Sequence, residues 1–215
     1  RIPLQQLTGV QEFMGLEFYV NEHVLIPRQD TETLVELVLS EHKEKNISLL
    51  DVCTGSGCIA ISLAKLGGYT DVTALDLSEE ALKVARSNGE KLLDQPVKFI
   101  KSDMFSALNP EKQYNVIVSN PPYIPSQVIE GLEPEVKDHE PRMALDGEPD
   151  GLKFYRILAE EGKKYLKNGG SIYMEIGWDQ AKDVTEIFEA MGFSGRRTVR
   201  DMAGNDRVVC ARKEK

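Results

Sequence analysis

Strand-like apolar segments alternate with segments of helix length through most of this chain, and this alternation restricts the fold more than any other feature. Segment 47–53 has the continuous apolar character of a strand buried on both faces, and 58–66 has the length and composition of a helix. The same succession recurs at 72–75 and 78–93, where Ser78 is the expected N-cap. Strands separated by helices pair in parallel, so we predict an α/β fold with a mostly parallel sheet covered on both faces.

The remaining elements are predicted from the same patterns. Further strands are expected at 97–101, 115–119 and 171–176, further helices at 152–166 and 179–191, and an antiparallel strand pair at 195–200 and 207–212. The turn Asn168-Gly169-Gly170 is expected to separate the first of these helices from its strand. The 27 residues from 124 to 150 form an unusually long connection with four prolines, and loops of this length are usually functional or disordered. We predict a functional loop, because it directly follows the unusual segment Asn120-Pro121-Pro122-Tyr123.

Two short elements are predicted before the first buried strand. Segments 16–20 and 23–26 flank Asn21-Glu22 and favour a β-hairpin. Thr33 and Glu36 have capping-box spacing and predict that an amphipathic helix begins there.

Charge and composition narrow the class of function. The 215 residues include 26 Lys and Arg against 35 Asp and Glu, a formal net charge of −9, which counts against a general nucleic-acid-binding protein because phosphate neutralisation needs a basic face. No apolar run approaches the ~18–20 residues of a membrane span, and no signal-peptide core is evident. The three cysteines form no CxxC pair, so neither a disulfide framework nor a metal site is predicted. We expect a cytoplasmic globular protein.

A glycine-rich turn joins the first buried strand to its helix, with the sequence Asp51-Val52-Cys53-Thr54-Gly55-Ser56-Gly57-Cys58. Backbone N–H groups in such a turn can face a ligand, and glycine allows close approach. Gly55, Gly57 and Ala60 satisfy the dinucleotide pattern, and Asp76 ends the next strand, where a carboxylate accepts hydrogen bonds from ribose hydroxyls. An NAD-binding oxidoreductase is therefore one alternative.

Two carboxylates favour a different ligand. Asp51 ends its strand just before the glycines, where it would repel a pyrophosphate but can hold an ammonium group. Asp103 ends the following strand, where it can reach an adenine amino group. A ligand with an ammonium group, a ribose and an adenine, and without phosphate, is S-adenosylmethionine. The pattern thus indicates a Rossmann-like fold that binds this methyl donor.

The segment Asn120-Pro121-Pro122-Tyr123 directly follows the predicted strand 115–119. A planar conjugated NH₂ group is a poor nucleophile because its lone pair is delocalised. The Asn120 side-chain oxygen and the Pro121 carbonyl can each accept one of its N–H bonds and orient the nitrogen toward a methyl donor. The prolines hold the acceptors rigid, and Tyr123 offers a flat face for the planar group.

These residues resemble those of the protein-(glutamine N5) methyltransferases that modify peptide-chain release factors, the HemK/PrmC-type family. The resemblance extends over essentially the whole chain and includes Gln11-Glu12-Phe13, Ile26-Pro27-Arg28-Gln29-Asp30-Thr31-Glu32, Glu140-Pro141-Arg142-Met143-Ala144-Leu145-Asp146-Gly147, Gly151-Leu152 and Glu175-Ile176-Gly177. The sequence departs from the family pattern at Gln29, where Pro is usual, and at Cys53, where Gly is common. Family members normally begin with a small helical domain, and we expect this chain to start after it, with a lead-in segment at 1–29 and a methyltransferase domain at 30–215.

The resemblance implies a role for each of the quoted site residues. S-adenosylmethionine would be bound by Asp51, Val52, Cys53, Thr54, Gly55, Gly57, Asp76, Asp103, Met104 and Asn120, with S-adenosylhomocysteine as the product. The substrate glutamine, in a Gly-Gly-Gln loop of a class 1 release factor, would be bound by Asn120, Pro121, Pro122 and Tyr123, of which Asn120, Pro121 and Tyr123 would be catalytic. Phe13 and Arg28 could line the same pocket or serve only structural roles.

Other function classes stay open on the residues alone. A DNA or RNA adenine-N6 or cytosine-N4 methyltransferase shares the Asn-Pro-Pro-Tyr chemistry, but the net charge of −9 offers no basic groove. A non-catalytic nucleotide-binding module would have no use for Asn120 at this position. We therefore expect a monomeric enzyme whose partner is a release factor and which does not bind nucleic acid or membrane directly.

Overall fold

The central feature of the structure, a computed structural model that describes residues 1–214, is a seven-stranded sheet. Its strands are β3 (Ser48–Val52), β4 (Asp71–Asp76), β5 (Lys98–Lys101), β6 (Tyr114–Ser119), β7 (Leu166–Glu175), β8 (Phe193–Arg200) and β9 (Asp206–Lys213). They lie in the order β5-β4-β3-β6-β7-β9-β8. The first five strands in this order are parallel, and β9 pairs antiparallel with both β7 and β8, which confirms the predicted fold class.

Helices cover both faces of this sheet. They are α1 (Leu4–Thr8), α2 (Gln29–Glu41), α3 (Cys58–Gly67), α4 (Glu79–Leu92), α5 (Ser126–Ile129), α6 (Pro134–Lys137), α7 (Arg142–Leu145), α8 (Lys153–Tyr165) and α9 (Ala181–Ala190). Side chains of α2 and α3 pack with one set of strand residues, including Leu49 and Val116. Side chains of α8 and α9 pack with the alternate set, including Leu50 and Ile117. Successive strand residues thus enter opposite cores, so the strands are apolar throughout.

The order of the strands creates a crevice at one edge of the sheet. From β3 the chain runs outward through β4 to β5, and then returns to place β6 on the other side of β3. In open parallel sheets, ligands bind at such a switch point, outside the carboxyl ends of the strands. The glycine-rich turn follows β3 and the segment beginning at Asn120 follows β6, so these two segments lie side by side.

The N-terminal hairpin exists, and the predicted strand 16–20 is confirmed, but the other predicted strand is wrong. It consists of β1 (Val10–Phe13) and β2 (Leu16–Tyr19), whereas 23–26 forms no strand. The turn lies at Met14 and Gly15, with φ angles of 53° and 70°. Two successive residues with positive φ match the twist of a two-residue hairpin turn, while the Asn21 side chain instead accepts the His23 N–H within its own loop.

Two predicted boundaries are also wrong. Helix α2 begins at Gln29, directly after the extended Arg28, so Thr33 and Glu36 lie inside the helix and form no cap. Asn168-Gly169-Gly170 lies within β7, which starts at Leu166 because this fully buried residue already pairs with Tyr114. The glycines accompany a register shift in the strand. By contrast, the Ser78 side chain accepts the Ala81 N–H, as expected of an N-cap.

The long connection 124–150 is ordered into three single-turn helices, α5, α6 and α7. Its two ends are tied together: the Ile124 N–H donates to the Leu145 carbonyl over 3.0 Å, and the Gly147 N–H donates back to the Ile124 carbonyl over 2.9 Å. Gly147 lies so close to Tyr123 that a Cβ there would be 2.7 Å from the Tyr123 Cα. The connection therefore braces the segment that begins at Asn120. Within residues 1–214, no helix is both long and apolar enough to cross a membrane.

We predict that Gly147→Ala destabilises the protein by about 1–3 kcal/mol, because the new methyl group would overlap backbone atoms that cannot rotate away. Gly131→Ala, in the same connection, is the control: its Cβ would meet only the Val128 carbonyl oxygen at 3.5 Å, an ordinary contact. Denaturant unfolding of both variants measures the difference. Equal unfolding free energies would show that the close approach to Tyr123 is not required.

Candidate active site

An open cleft lies outside the carboxyl ends of the parallel strands, with about 990 Å³ of empty space when the solvent at its mouth is included. Its walls come from segments that are far apart in sequence: residues of 23–31 before and at the start of α2, the glycine-rich turn, the ends of β4 and β5, the segment after β6, and the long connection with Phe154 of α8. A cleft at a sheet switch point suits a small organic ligand.

The glycine-rich turn leaves its backbone open to the cleft. Gly55 has a φ of 55°, and a Cβ there would meet nothing within 4 Å, so this residue faces empty space. Gly57 has a φ of 82°, and a Cβ there would lie 2.9 Å from Ile61 and 3.2 Å from Ala85. One glycine thus gives a ligand access to the backbone, and the other allows α3 to pack closely on α4.

Asp76 is held in the cleft wall by two backbone donors. Its Oδ2 accepts the Gly55 N–H over 2.8 Å, and its Oδ1 accepts the Ser78 N–H over 2.9 Å. Burial raises the pKa of this carboxyl, and these backbone bonds partly offset that effect. Each carboxylate oxygen keeps lone-pair capacity for a further donor, so Asp76 can accept hydroxyl groups from a ligand in the cleft.

Asp51 lies behind the cleft wall, and its side chain is completely buried. The Thr54 hydroxyl donates to Asp51 Oδ2 over 2.6 Å. Oδ1 is buried and makes no hydrogen bond of normal geometry within residues 1–214, although the nearby Ala60 N–H also lowers the pKa of this carboxyl. Burial raises the pKa of Asp51 to about 7, against the Thr54 bond, which lowers it. An unsatisfied buried carboxylate is costly and attracts positive charge, which fits a nearby cationic ligand group.

The part of the wall that follows β5 combines Asp103 with apolar and sulfur-containing side chains. Asp103 is exposed, while Met104 is buried and has a φ of 47°. Cys53 has a φ of 63°, and its Sγ lies 3.9 Å from Met104 Sδ. Burial raises the pKa of the Cys53 thiol, which keeps it neutral. Non-glycine residues with positive φ are strained and cluster at functional sites.

The segment after β6 places some predicted residues in the cleft wall and others behind it. Asn120 and Pro122 line the cleft, but Pro121 and Tyr123 do not. The Asn120 side chain donates from Nδ2 to the Thr31 hydroxyl over 3.4 Å, which leaves its Oδ1 available. The Tyr123 hydroxyl instead donates to Glu175 Oε1 over 3.2 Å, so its ring is anchored away from the cleft.

Several residues that shape this cleft had no definite role on sequence grounds. Arg28 lines it and forms an ion pair of 2.7 Å with Glu140, whose other oxygen accepts the Ile26 N–H. This pair fastens the long connection to the segment before α2. Glu175 is buried beneath the Asn120 segment. Both glutamates belong to the segments quoted for the family resemblance, which was the only signal available for them.

Phe13, the other residue considered for the pocket, has a structural role. It packs edge-on against Phe18 in the core and does not reach the cleft.

Comparison with known proteins identifies methyltransferases as relatives of this chain. A family model described as "Methyltransferase small domain" matches residues 29–131. A release factor glutamine methyltransferase from Fusobacterium nucleatum is 44% identical over 99% of this chain, which spans 60% of that protein. One from Geobacter sulfurreducens is 42% identical over 99% of this chain and 74% of that protein. The crystal structure of the release factor-specific protein-(glutamine-N5) methyltransferase from Alicyclobacillus acidocaldarius is 32% identical, with a TM-score of 0.54 over 92% of this chain and 100% of that one.

We predict that Asp51→Asn makes the protein more stable than the wild type at a pH of about 8. The folded pKa of about 7 lies above the 3.8 of an unburied aspartate, so the folded state holds the proton more tightly and stability falls as pH rises between these values. Asparagine removes the buried charge, and the advantage should vanish at a pH near 4, where Asp51 is protonated in the folded state. Melting temperatures of the wild type and the variant between about pH 4 and pH 8 measure this difference in stability. Asp94→Asn, at an exposed position, is the control for the loss of one negative charge. A difference in melting temperature between wild type and Asp51→Asn that does not change with pH would contradict the prediction.

Proposed function

The chain belongs to the family of release factor glutamine methyltransferases, and from this premise we propose that it transfers a methyl group from S-adenosylmethionine to the side-chain amide nitrogen of a release factor glutamine. The glutamine is that of the Gly-Gly-Gln loop of a class 1 release factor. One observation carries the proposal: Asn120, with its side-chain oxygen uncommitted, lies in the wall of the same cleft as Asp76 and the open Gly55 backbone. An acceptor for an amide N–H and a site for a nucleoside therefore share one cavity.

The chain's own residues fit S-adenosylmethionine. Asp76 can accept the ribose hydroxyls, and Asp103 with Met104 can border the adenine. The Asp51 oxygen that has no partner within the described residues supplies negative charge beneath the turn that would surround the methionine part. When bound, this donor supplies an electrophilic methyl group. An NAD-type ligand fits less well, because a pyrophosphate would lie near the buried Asp51 carboxylate.

Asn120 and Pro121 would prepare the substrate nitrogen. An amide nitrogen becomes nucleophilic only as its lone pair leaves conjugation and the nitrogen becomes pyramidal. The Asn120 Oδ1 in the cleft wall would accept one N–H bond, and the carbonyl oxygen of Pro121, directly behind that wall, would accept the other, so that the nitrogen faces the cleft. Both prolines restrict the backbone between Asn120 and Tyr123, and Gln180 donates from Nε2 to the Tyr123 carbonyl over 3.0 Å. The acceptors are thus held in place before the substrate arrives.

Tyr123 would support this site rather than pack on the substrate. Its hydroxyl is bound to Glu175, and burial raises its pKa, so it stays protonated. It is therefore a poor proton acceptor. No strong general base is required, because the methylated nitrogen becomes acidic enough to lose its proton to water.

The charge of the chain supports a protein substrate. With a net charge of −9, the protein does not have the basic surplus that phosphate backbones require. We propose further that the enzyme works as a monomer in the cytoplasm, where release factors act, and does not bind nucleic acid directly.

The test of the function is methyl transfer from labelled S-adenosylmethionine. The chain is offered a purified release factor, the same factor with its Gly-Gly-Gln glutamine changed to alanine, and duplex DNA. Label is expected only in the unchanged factor. Label in DNA would support a nucleic-acid methyltransferase instead, and stabilisation of the protein by NAD but not by S-adenosylmethionine would support an oxidoreductase.

We predict that Asp76→Ala weakens S-adenosylmethionine binding at least about tenfold, since charge-assisted hydrogen bonds to the ribose contribute ~1.5–3 kcal/mol each. Isothermal titration calorimetry measures the affinity. Asp71→Ala, at the opposite end of β4, is the matched control and should bind like wild type. Unchanged affinity in Asp76→Ala would remove this residue from the site.

We predict that Asn120→Ala lowers kcat by roughly 10²–10³, the usual effect of removing one preorganised polar group. The interaction strengthens as the nitrogen becomes pyramidal, so S-adenosylmethionine affinity should stay near the wild-type value. Asn120→Asp keeps a hydrogen-bond acceptor but adds a charge that must be desolvated beside the substrate amide. Its kcat should therefore lie between those of the wild type and Asn120→Ala. A kcat within about threefold of wild type in a folded Asn120→Ala protein would refute this mechanism, because it corresponds to well under 1.4 kcal/mol.

A further inference from the structure

The Asn120 side chain forms a hydrogen bond with the hydroxyl of Thr31, a residue for which no role was predicted from the sequence. Thr31, in the first turn of α2, is 2% exposed, and its Oγ1 accepts the Asn120 Nδ2–H over 3.4 Å. An amide side chain can rotate by 180° and exchange its oxygen with its NH₂ group. Only the orientation with NH₂ toward Thr31 presents Oδ1 to a substrate amide.

Whether the Thr31 hydroxyl donates or accepts depends on the groups beside it. Glu175 lies beside the Thr31 hydroxyl, which lowers the pKa of that carboxyl, although burial has the larger effect and raises it. Glu175 Oε1 accepts the Tyr123 hydroxyl, while Oε2 is buried without a hydrogen-bond partner in the part of the chain that the structure describes. A hydroxyl has one proton. If that proton is directed to an ionised carboxylate, the Thr31 oxygen can only accept.

The charged neighbours of Glu175 act on its pKa in opposite directions, and Asp30 raises it. Arg207 is the nearby cation, and its charge lowers the pKa of Glu175. Arg207 is itself shared, since it forms ion pairs of 3.2 Å with Asp30 and 3.1 Å with Asp201. Asp30 directly precedes Thr31 in α2, so this network also fixes the start of the helix against β9.

We propose that Thr31 is a positioning residue for methyl transfer: its hydroxyl, beside the buried Glu175, accepts the Asn120 Nδ2–H and so holds the Asn120 amide with the oxygen facing the substrate. This inference rests on the proposed function. Thr31 lines the cleft but is only 2% exposed, so we assign its effect to the contact with Asn120 rather than to contact with the substrate. The chain of contacts therefore runs from Glu175 in β7 through Thr31 in α2 to Asn120 after β6.

The kinetic test compares Thr31→Val, which keeps the shape of the side chain, with Thr31→Ser, which keeps the hydroxyl. Thr31→Val is expected to lower kcat about tenfold, the effect of losing one hydrogen bond. S-adenosylmethionine affinity and the KM for the release factor should change less than about twofold, since the lost contact acts on the reacting geometry. Thr31→Ser should recover most of the kcat. Thr73→Val is the matched control: Thr73 is 4% exposed in β4, away from Asn120, and should keep the wild-type kcat.

A double variant separates positioning from general damage. If Thr31 acts only through Asn120, Thr31→Val should have no further effect on single-turnover rates in an Asn120→Ala background. A tenfold loss that persists in that background would overturn the proposal. So would a wild-type kcat in Thr31→Val, or a Thr31→Ser variant no better than Thr31→Val.

A measurement without substrate distinguishes failure of this inference from failure of the proposed function. The side-chain NH₂ signal of Asn120 is identified by its loss from the NMR spectrum of ¹⁵N-labelled Asn120→Ala. Its hydrogen exchange should be faster in Thr31→Val than in the wild type, and slow again in Thr31→Ser. Equal exchange in all three refutes the positioning role. Altered exchange, together with no label transfer to the release factor by the wild type, would refute only the proposed function.

Discussion

The parallel pairing of β3 with β6 is the interaction on which the rest of the site depends. These strands are far apart in sequence but adjacent in the sheet, with Val52 opposite Ser119 at their carboxyl ends. The Ser119 hydroxyl donates to the Val52 carbonyl over 2.7 Å at this point. The loops after the two strands must therefore emerge side by side. This pairing brings a turn suited to a methyl donor next to an acceptor for an amide.

Several elements outside the sheet hold these two loops in position. Asn88 in α4 is buried and donates to the Ser56 carbonyl in the glycine-rich turn and to the Tyr19 carbonyl in the hairpin. The Arg28–Glu140 pair ties the long connection to the segment before α2. Gly147 packs directly on the Tyr123 backbone. The hairpin and the long connection lie outside the sheet, but their contacts hold the walls of the cleft in position.

Buried carboxylates concentrate at this edge of the sheet. Burial raises the pKa of Asp51, Asp76, Glu140 and Glu175 alike. Asp76 and Glu140 are satisfied by backbone N–H groups or by Arg28, but Asp51 and Glu175 each leave one oxygen without a partner among the described residues. Unsatisfied buried charge lowers stability, and such groups cluster at functional sites. These two carboxylates therefore lower the stability of the folded protein at the place where we propose that it binds a cationic donor and positions an amide.

The sequence by itself determined the parallel sheet, because strands 47–53, 72–75 and 115–119 are apolar on both faces and are separated by helix-length segments. It also determined the glycine-rich turn, Asp76 at a strand end and Asn120 after a later buried strand, since the order of residues along the chain specifies which side chains come directly after each strand. It did not locate the hairpin turn, because Met14 gives no composition signal for its positive φ. The burial of Asp51, the anchoring of Tyr123 on Glu175 and the contact of Thr31 with Asn120 were decided only by the tertiary structure. These features join residues from different elements, and a side chain's exposure and partners depend on how those elements pack.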